Sequence, residues 1–200
     1  MRLIQSLLTL SVAGACLTMG LTGCVKPPDQ EVVAAKKAVQ AARNAEADKY
    51  LANNFINLEK ALEAAESEVE LQKQKFVMSQ NYTRSKQLLK NVTDRGNQLA
   101  ADAPAAKEEM RKQVEEGLVS IQKMAKETRV DIRKAPKSKG KKVIEKMKTD
   151  LDAAEKAIAE ASSDFSAGNV PDAGKKLAEA QGLLKRIFDK LSSSGTDGLM

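Results

Sequence analysis

The chain has 200 residues, enough for one or two domains, and 42% of them are hydrophobic, but aromatic residues make up only 3% and tryptophan is absent. The 33 Lys and Arg residues against 27 Asp and Glu residues give a net charge of +6, a slight excess that does not by itself indicate nucleic acid. Histidine is absent and both cysteines, Cys16 and Cys24, lie in the N-terminal apolar stretch, which excludes the usual zinc sites, disulfides in the body of the chain, and Ser-His or Cys-His catalysis.

The N-terminus has the layout of a secretory signal. Met1-Arg2 supplies a short positive region, residues 3–20 form an apolar run, and the run ends in Leu21-Thr22-Gly23-Cys24. These last four residues resemble the lipobox of bacterial lipoproteins. The resemblance implies cleavage before Cys24, diacylation of its sulfur and acylation of its new amino group. Cys24 is therefore the expected lipidation site, and no cofactor or metal is expected beyond this covalent lipid.

The residues that follow Cys24 bear on where the protein is held. The sequence Lys26-Pro27-Pro28-Asp29 predicts an extended tether. Two or three acyl chains make membrane anchoring stable, whereas a single chain gives only marginal binding. Val25 is not the aspartate that retains enterobacterial lipoproteins at the inner membrane, so the resemblance implies the outer membrane, with the body in the periplasm of a Gram-negative bacterium. The alternative is an uncleaved spanning helix, which would not require the Gly23-Cys24 pair.

From residue 30 onward, apolar residues recur alternately three and four positions apart, which is typical of helices packed against one another. Such seams run through residues 55–76, 82–99, 114–132, 144–165 and 177–191, and alanine content predicts a further helix over 33–52. Short connections make sequential helices antiparallel. The sequence therefore predicts an all-α fold of long antiparallel helical hairpins, or an elongated helical bundle with coiled-coil-like seams.

Turn residues divide this body into segments. Gln80-Asn81, Ala103-Pro104, Ala135-Pro136 and Gly168-Asn169 fall between the seams, and Pro171 suits the opening turn of the last helix. The expected organisation is a signal peptide over 1–23, a tether over 24–30, an N-terminal hairpin domain over 31–102, a central helix over 103–135, a basic turn over 136–142, a C-terminal hairpin over 143–192 and a flexible tail over 193–200.

Two stretches of the body match at one constant offset, which suggests an internal duplication; the alternative is a partial match between any two alanine-rich seams. The matched residues are Leu62, Ala65, Glu66 and Phe76 with Leu151, Ala154, Glu155 and Phe165. In both stretches a helix with a Phe near its end is followed by an Asn-centred turn and a second helix. The turn over 165–173 resembles the hairpin turn of tetratricopeptide-like repeats, where a small residue lets paired helices approach closely.

A second resemblance rests on alanine and leucine spacing. The lipobox is followed by Ala34-Ala35-Lys36-Lys37-Ala38, then by Ala45-Glu46-Ala47-Asp48-Lys49-Tyr50 and Leu58-Glu59-Lys60-Ala61-Leu62. This arrangement resembles lipoproteins that carry domain of unknown function 4398. The resemblance covers mainly residues 30–100, and it implies a helical hairpin in a Gram-negative envelope protein with no catalytic residues assigned.

Positive charge is concentrated around the predicted basic turn. Its cations are Arg133, Lys134, Lys137, Lys139, Lys141 and Lys142. Such a cluster can contact anionic lipid, the carboxylates of peptidoglycan stem peptides or an acidic protein, and the alternative is a solvated loop whose charges repel one another. No aromatic residues are interleaved, so nucleic-acid binding is disfavoured.

The remaining polar and aromatic residues favour a structural interpretation. Carboxylates on the helices mostly flank the seams near Lys or Arg, as solubilising ion pairs do, rather than facing inward as a metal or acid–base site would. Tyr50, Phe55, Phe76 and Tyr82 are predicted to be packing anchors near helix ends. No phosphate-binding glycine loop or nucleophile elbow occurs.

We therefore expect a non-enzymatic, membrane-anchored lipoprotein that acts as an envelope scaffold, spacer or protein-interaction module. Its expected partner is an envelope protein or peptidoglycan, and its helix seams can close within one chain or between copies in a homo-oligomer. Two alternatives remain: a tetratricopeptide-like adaptor that binds a partner peptide in a concave groove, and a peptidoglycan-binding lipoprotein that uses the basic turn.

Overall fold

Six α-helices make up the body of the chain in the computed structural model, which describes residues 26–135 and 139–193. They are α1 (Asp29–Asn44), α2 (Ala47–Tyr50), α3 (Ala52–Lys73), α4 (Thr83–Lys134), α5 (Lys141–Ser166) and α6 (Val170–Ser192), with a 3-10 turn at Val77–Ser79 between α3 and α4. Every regular element in these two ranges is helical, so the all-α prediction is confirmed. The signal peptide, Cys24, Lys137 and most of the tail lie outside the described residues.

The helices form two three-helix bundles that share α4. The N-terminal bundle contains α1, α3 and the first half of α4, with the short α2 between α1 and α3, and its core ends at Ala103. The C-terminal bundle contains the second half of α4 with α5 and α6, and its core on α4 begins with the partly buried Ala106. Sequential long helices are antiparallel, as predicted from their short connections. Since each bundle runs up, down and up, α1 is parallel to α4, and α4 is parallel to α6.

Helix α4 is continuous through Pro104, so the predicted helix break at Ala103-Pro104, and with it a separate central helix over 103–135, is wrong. Proline removes one backbone hydrogen bond and costs about 3 kcal/mol inside a helix. That cost is offset because Ala103 is fully buried in the first core and Val114 in the second. Pro104 itself is exposed, so its ring faces solvent rather than the packed interface.

Small residues let α1 and α4 approach closely. On α1, Ala35 and Ala42 are fully buried, and Ala38 faces Gly96 of α4. A Cβ atom on Gly96 would lie 2.8 Å from the carbonyl carbon of Ala38 and 2.9 Å from its Cβ. Those distances are shorter than van der Waals contact, so the absence of a side chain at Gly96 is what allows this spacing. The sequence has few aromatic residues, and at this interface alanine and glycine keep the distance between α1 and α4 short.

Most of the predicted seam residues are buried. They include Leu58, Leu89, Ile121, Leu151 and Ile187. The predicted turn at Gly168-Asn169 is also confirmed: Gly168 has φ +82°, and the amide of Asn169 donates to the carbonyl of Asp164 at 2.8 Å, which ends α5 as a Schellman-type cap does.

One predicted helix is interrupted. Instead of one helix over 33–52, α1 ends at Asn44, and Glu46 adopts φ +64°, which turns the chain into α2. A left-handed conformation is unfavourable for a residue with a Cβ, so contacts elsewhere in the fold must hold it.

The close approach at Gly96 leads to a stability prediction. Replacing Gly96 with Ala forces α1 and α4 apart, because the new methyl group meets backbone atoms of Ala38, and should lower the free energy of unfolding by about 1–3 kcal/mol. Gly182 of α6 is the matched control, since a Cβ there meets nothing within 4 Å. Gly182→Ala should stabilise by up to about 1 kcal/mol through helix propensity. Urea denaturation monitored by circular dichroism measures both; equal effects of the two substitutions would contradict the packing argument.

Candidate functional site

The turn between α3 and α4 presents three consecutive apolar side chains to solvent. Phe76, Val77 and Met78 are 76%, 58% and 90% exposed, and we call these three residues the hairpin tip. The prediction that Phe76 is a packing anchor is therefore wrong. Helix α3 ends at Lys73, before Phe76, so the side chain projects beyond the core instead of lying on it. Tyr50, Phe55 and Tyr82 are buried, as predicted for packing anchors.

Polar contacts hold the turn that carries the hairpin tip. The buried side chain of Gln72 accepts a hydrogen bond from the Asn81 amide at 3.1 Å, and Gln80 Nε2 donates to the carbonyls of Lys73 and Lys75 at 3.4 and 3.2 Å. Thr83, the first residue of α4, donates its amide to Asn81 Oδ1 at 2.9 Å. The tip is thus exposed on a turn with defined geometry.

The hairpin tip lies at the same end of the N-terminal bundle as the start of α1. Glu31 in the first turn of α1 pairs with Lys86 in the first turn of α4 at 3.4 Å. The hydrogen bond from Lys73 to Glu70 raises the pKa of Lys73, burial opposes this, and the charge of nearby Asp29 adds to the rise. Pro28, next to Asp29, is buried. The described chain therefore enters the fold beside the hairpin tip.

The opposite end of α4 carries the predicted basic turn. Arg133 and Lys134 end α4 and are exposed, and Lys141 and Lys142, also exposed, begin α5. The structure therefore brings these four cations to one end of the C-terminal bundle. Like charges gathered in this way attract an anionic surface and repel one another.

Lys139 has a structural role within the basic turn. Its Nζ donates to the backbone carbonyls of Lys190 at 2.8 Å and Ser193 at 2.6 Å. The last carbonyls of a helix lack partners within it, and a cation placed there stabilises them. Lys139 therefore caps the C-terminus of α6, and its charge is less available to an external ligand than the sequence suggested.

Many carboxylates pair with cations three or four residues away, and others pair with cations on neighbouring helices. Glu66 of α3 lies 2.7 Å from Lys36 of α1, and Glu155 of α5 pairs with Arg129 of α4. These glutamates are the two that matched in the internal comparison, and each pairs with the preceding long helix of its bundle. Across the described ranges, no group of three or more carboxylate or cysteine ligands is placed to hold a metal ion.

Asp150 of α5 is a buried carboxylate. Burial opposes its charged form, but the Nζ atoms of Lys190 and Lys146, at 2.9 and 3.1 Å, outweigh that effect and lower the pKa of Asp150. The carboxylate is thus ionised and neutralised by two lysines. This ion pair joins α5 to α6 and suits a structural role better than acid–base chemistry.

Sequence reasoning missed a polar junction between the two bundles. Glu46, at the turn between α1 and α2, accepts hydrogen bonds from Lys107 of α4 at 2.6 Å and from Lys49 at 2.8 Å. These contacts lower the pKa of Glu46 to about 2, with partial desolvation acting against them. Lys107 also lies 5.5 Å from the centre of the Tyr50 ring. In the sequence, only the interruption of the alanine-rich stretch by polar residues around Glu46 indicates this junction.

A shallow groove runs between α4 and α6 in the C-terminal bundle. Its volume is about 570 Å³, and its lining includes Met124, Asp131, Leu184, Lys185 and Phe188. The Phe188 side chain is 66% exposed. An open groove with an exposed aromatic residue at its edge has the character of a peptide contact surface rather than of an enclosed small-molecule pocket.

The fold and its two ends define an all-α protein of two three-helix bundles on one shared helix. Within residues 26–135 and 139–193, no helix has both the length and the apolar character needed to cross a bilayer. Comparison of the chain with protein-family models, curated proteins and solved structures found no match.

The junction at Glu46 should make stability depend on pH. Because the pKa of Glu46 is lower in the folded chain than its ordinary value of 4.5, its contribution is present above about pH 4.5 and is lost as the pH falls towards about 2. Glu46→Gln should therefore reduce stability at neutral pH, and its unfolding free energy should converge with that of the unsubstituted chain in acid. Urea denaturation across this range measures the effect. Glu108→Gln, at an exposed site one residue from Lys107, is the control. The difference between its free energy of unfolding and that of the unsubstituted chain should not depend on pH in this way.

Proposed function

We propose that this chain is a lipoprotein of the bacterial envelope, lipidated on Cys24, that acts without catalysis as a spacer or scaffold. The observation that carries the proposal is α4, a single 52-residue helix that joins the end where the chain enters the fold to the end with the basic turn. At 1.5 Å per residue, α4 is about 78 Å long. A lipid anchor at one end and cations at the other would hold an interaction surface well away from the membrane.

Sequence features support the anchor and the location. The apolar run and Leu21-Thr22-Gly23-Cys24 have the order that export and lipidation need. Val25 favours the outer membrane, with the body in the periplasm, by resemblance to enterobacterial lipoproteins. The absence of histidine, and of cysteine after Cys24, supports a non-catalytic role because it removes the commonest acid–base and nucleophilic groups.

A second candidate function is an adaptor that binds a partner peptide. The groove between α4 and α6 favours it, because Met124 and Phe188 offer apolar contact area beside the charges of Asp131 and Lys185. An amphipathic helix with basic and acidic residues flanking its apolar stripe would match such a surface. The groove lies in the C-terminal bundle and would therefore project from the membrane on α4.

Replacing Cys24 with Ser tests the anchor. A serine hydroxyl does not replace the thiol that receives the lipid, so Cys24→Ser should abolish incorporation of labelled palmitate and either release the protein from the membrane fraction or leave the precursor uncleaved. Cys16→Ser is the matched control, since Cys16 lies inside the apolar run, and should be lipidated normally. Continued palmitate incorporation by the Cys24→Ser chain would refute the proposal.

The basic turn can be tested as a peptidoglycan contact. Changing Lys137, Lys141 and Lys142 to Glu should weaken cosedimentation with purified cell wall at low salt by about tenfold, if each reversed charge costs about 0.5 kcal/mol. Lys139 is left intact because it caps α6. The control reverses the exposed lysines Lys37, Lys60 and Lys112.

The comparison of these two variants separates a local contact from a general charge effect. Loss of cosedimentation in the basic-turn variant alone supports the contact. Unchanged cosedimentation in both variants eliminates peptidoglycan as the partner of this turn and leaves a protein partner for the far end of α4.

A further inference from the structure

We propose that the hairpin tip, Phe76-Val77-Met78, inserts into the interface of the same membrane that holds the lipid on Cys24. The inference rests on the proposed lipidation and adds a second membrane contact, made by the fold itself. It assigns a role to a feature that neither hydrophobic core explains.

The apolar surface of the tip favours insertion into a membrane. Elsewhere in the same hairpin Phe55 is only 3% exposed, whereas Phe76 is 76% and Met78 is 90% exposed. Apolar side chains in water are unfavourable, and three in a row at the end of a hairpin have no neighbouring helix that can cover them. Entry into a bilayer interface would remove this surface from water.

The position of the tip in the fold also favours the membrane. Lys26 is the first described residue, and the chain from Lys26 to Asp29 leads directly into α1 beside the turn that carries the tip. An extended chain spans at most about 3.6 Å per residue, so the Cα of Cys24 lies within about 7 Å of the Cα of Lys26. Acyl chains attached so close to the fold must bring this end of the N-terminal bundle to the membrane surface.

The charge beside the tip also favours the membrane. Between residues 73 and 84 the chain carries Lys73, Lys75 and Arg84 and no Asp or Glu; Lys73 pairs with Glu70, and Lys75 and Arg84 are exposed. Cations beside an apolar insertion favour a surface of anionic lipid headgroups. An acidic protein would also match the cations, but the short link to the lipid favours the membrane as the occupant.

The turn that carries the tip has a defined geometry. The hydrogen bonds of Gln72 and Gln80 shape the backbone on both sides of the tip, and Val77–Ser79 forms a 3-10 turn. A segment that is already ordered loses little conformational entropy when it inserts. The tip is therefore ordered before it inserts and does not have to fold on the lipid.

The experiment uses the full lipidated chain in vesicles of phosphatidylethanolamine and phosphatidylglycerol. Met78→Cys is labelled with a fluorophore whose emission depends on polarity; the mature chain would have no other free thiol, because the sulfur of Cys24 carries lipid. The matched control is Val119→Cys, at an exposed apolar position of α4 in the C-terminal bundle. When the lipidated protein moves from detergent-free assemblies in solution into vesicles, the emission of the Met78 label should shift to the blue, and its quenching by iodide should fall several-fold. The emission and the quenching of the Val119 label should not change.

A second variant tests whether the apolar side chains cause the protection. Phe76→Ser together with Val77→Ser, in the labelled Met78→Cys chain, should restore iodide quenching to the level of the Val119 control. Both positions are exposed, so circular dichroism should show an unchanged fold. Protection that persists in this variant would overturn the proposal, because it would not depend on apolar insertion.

The outcomes distinguish failure of this inference from failure of the proposed function. Mass spectrometry of the Cys24 peptide from the same sample establishes lipidation, and absence of lipid rejects the proposed function itself. If the chain is lipidated and bound to vesicles but the Met78 label is as accessible as the Val119 label, only the tip proposal is wrong. Shielding in native envelopes but not in vesicles overturns membrane insertion in favour of a protein partner.

Discussion

Both hydrophobic cores are built against a single helix, and the rest of the structure depends on the continuity of α4 through Pro104. Ala103 belongs to the first core, and Ala106 and Val114 belong to the second, so the proline lies where α4 passes from one bundle to the other. A proline there costs one backbone hydrogen bond, but a break would separate two packed interfaces. Tyr50 reinforces the crossing, because it lies between Ala47 and Phe55 of the N-terminal core along the chain and yet packs into the C-terminal core.

Both bundles combine small and large buried side chains. The N-terminal bundle brings α1 against α4 through Ala35, Ala42 and Gly96, whose small size allows a short distance between the helices. Larger residues fill the rest of both cores, among them Leu58 and Leu89 in the N-terminal bundle and Ile121 and Ile187 in the C-terminal bundle. Close packing with small residues leaves little volume for rearrangement, which suits the bundle proposed to stand on the membrane.

The two ends of α4 differ in the chemistry of the surface around them. Apolar residues are exposed at the hairpin tip, where the chain enters the fold, and cations collect at the far end of the helix, with a groove beside α6 between them. An enzyme concentrates reactive groups in one enclosed place, whereas the features found here are spread along about 78 Å of helix. This arrangement is the physical basis for proposing a spacer or scaffold.

The sequence by itself determined the helical fold class, most of the buried seams and the turn at Gly168-Asn169, because a periodicity of 3.6 residues and a glycine turn are local properties that report which face is buried. It did not determine whether Pro104 ends a helix, whether Phe76 lies over a core, or which conformation Glu46 adopts. Those outcomes depend on partners distant in sequence. Packing on both sides keeps α4 intact, the end of α3 leaves Phe76 without a neighbour, and Lys107, 61 residues away, holds Glu46. Tertiary contacts decide such positions because their energies exceed the local preferences that a sequence pattern records.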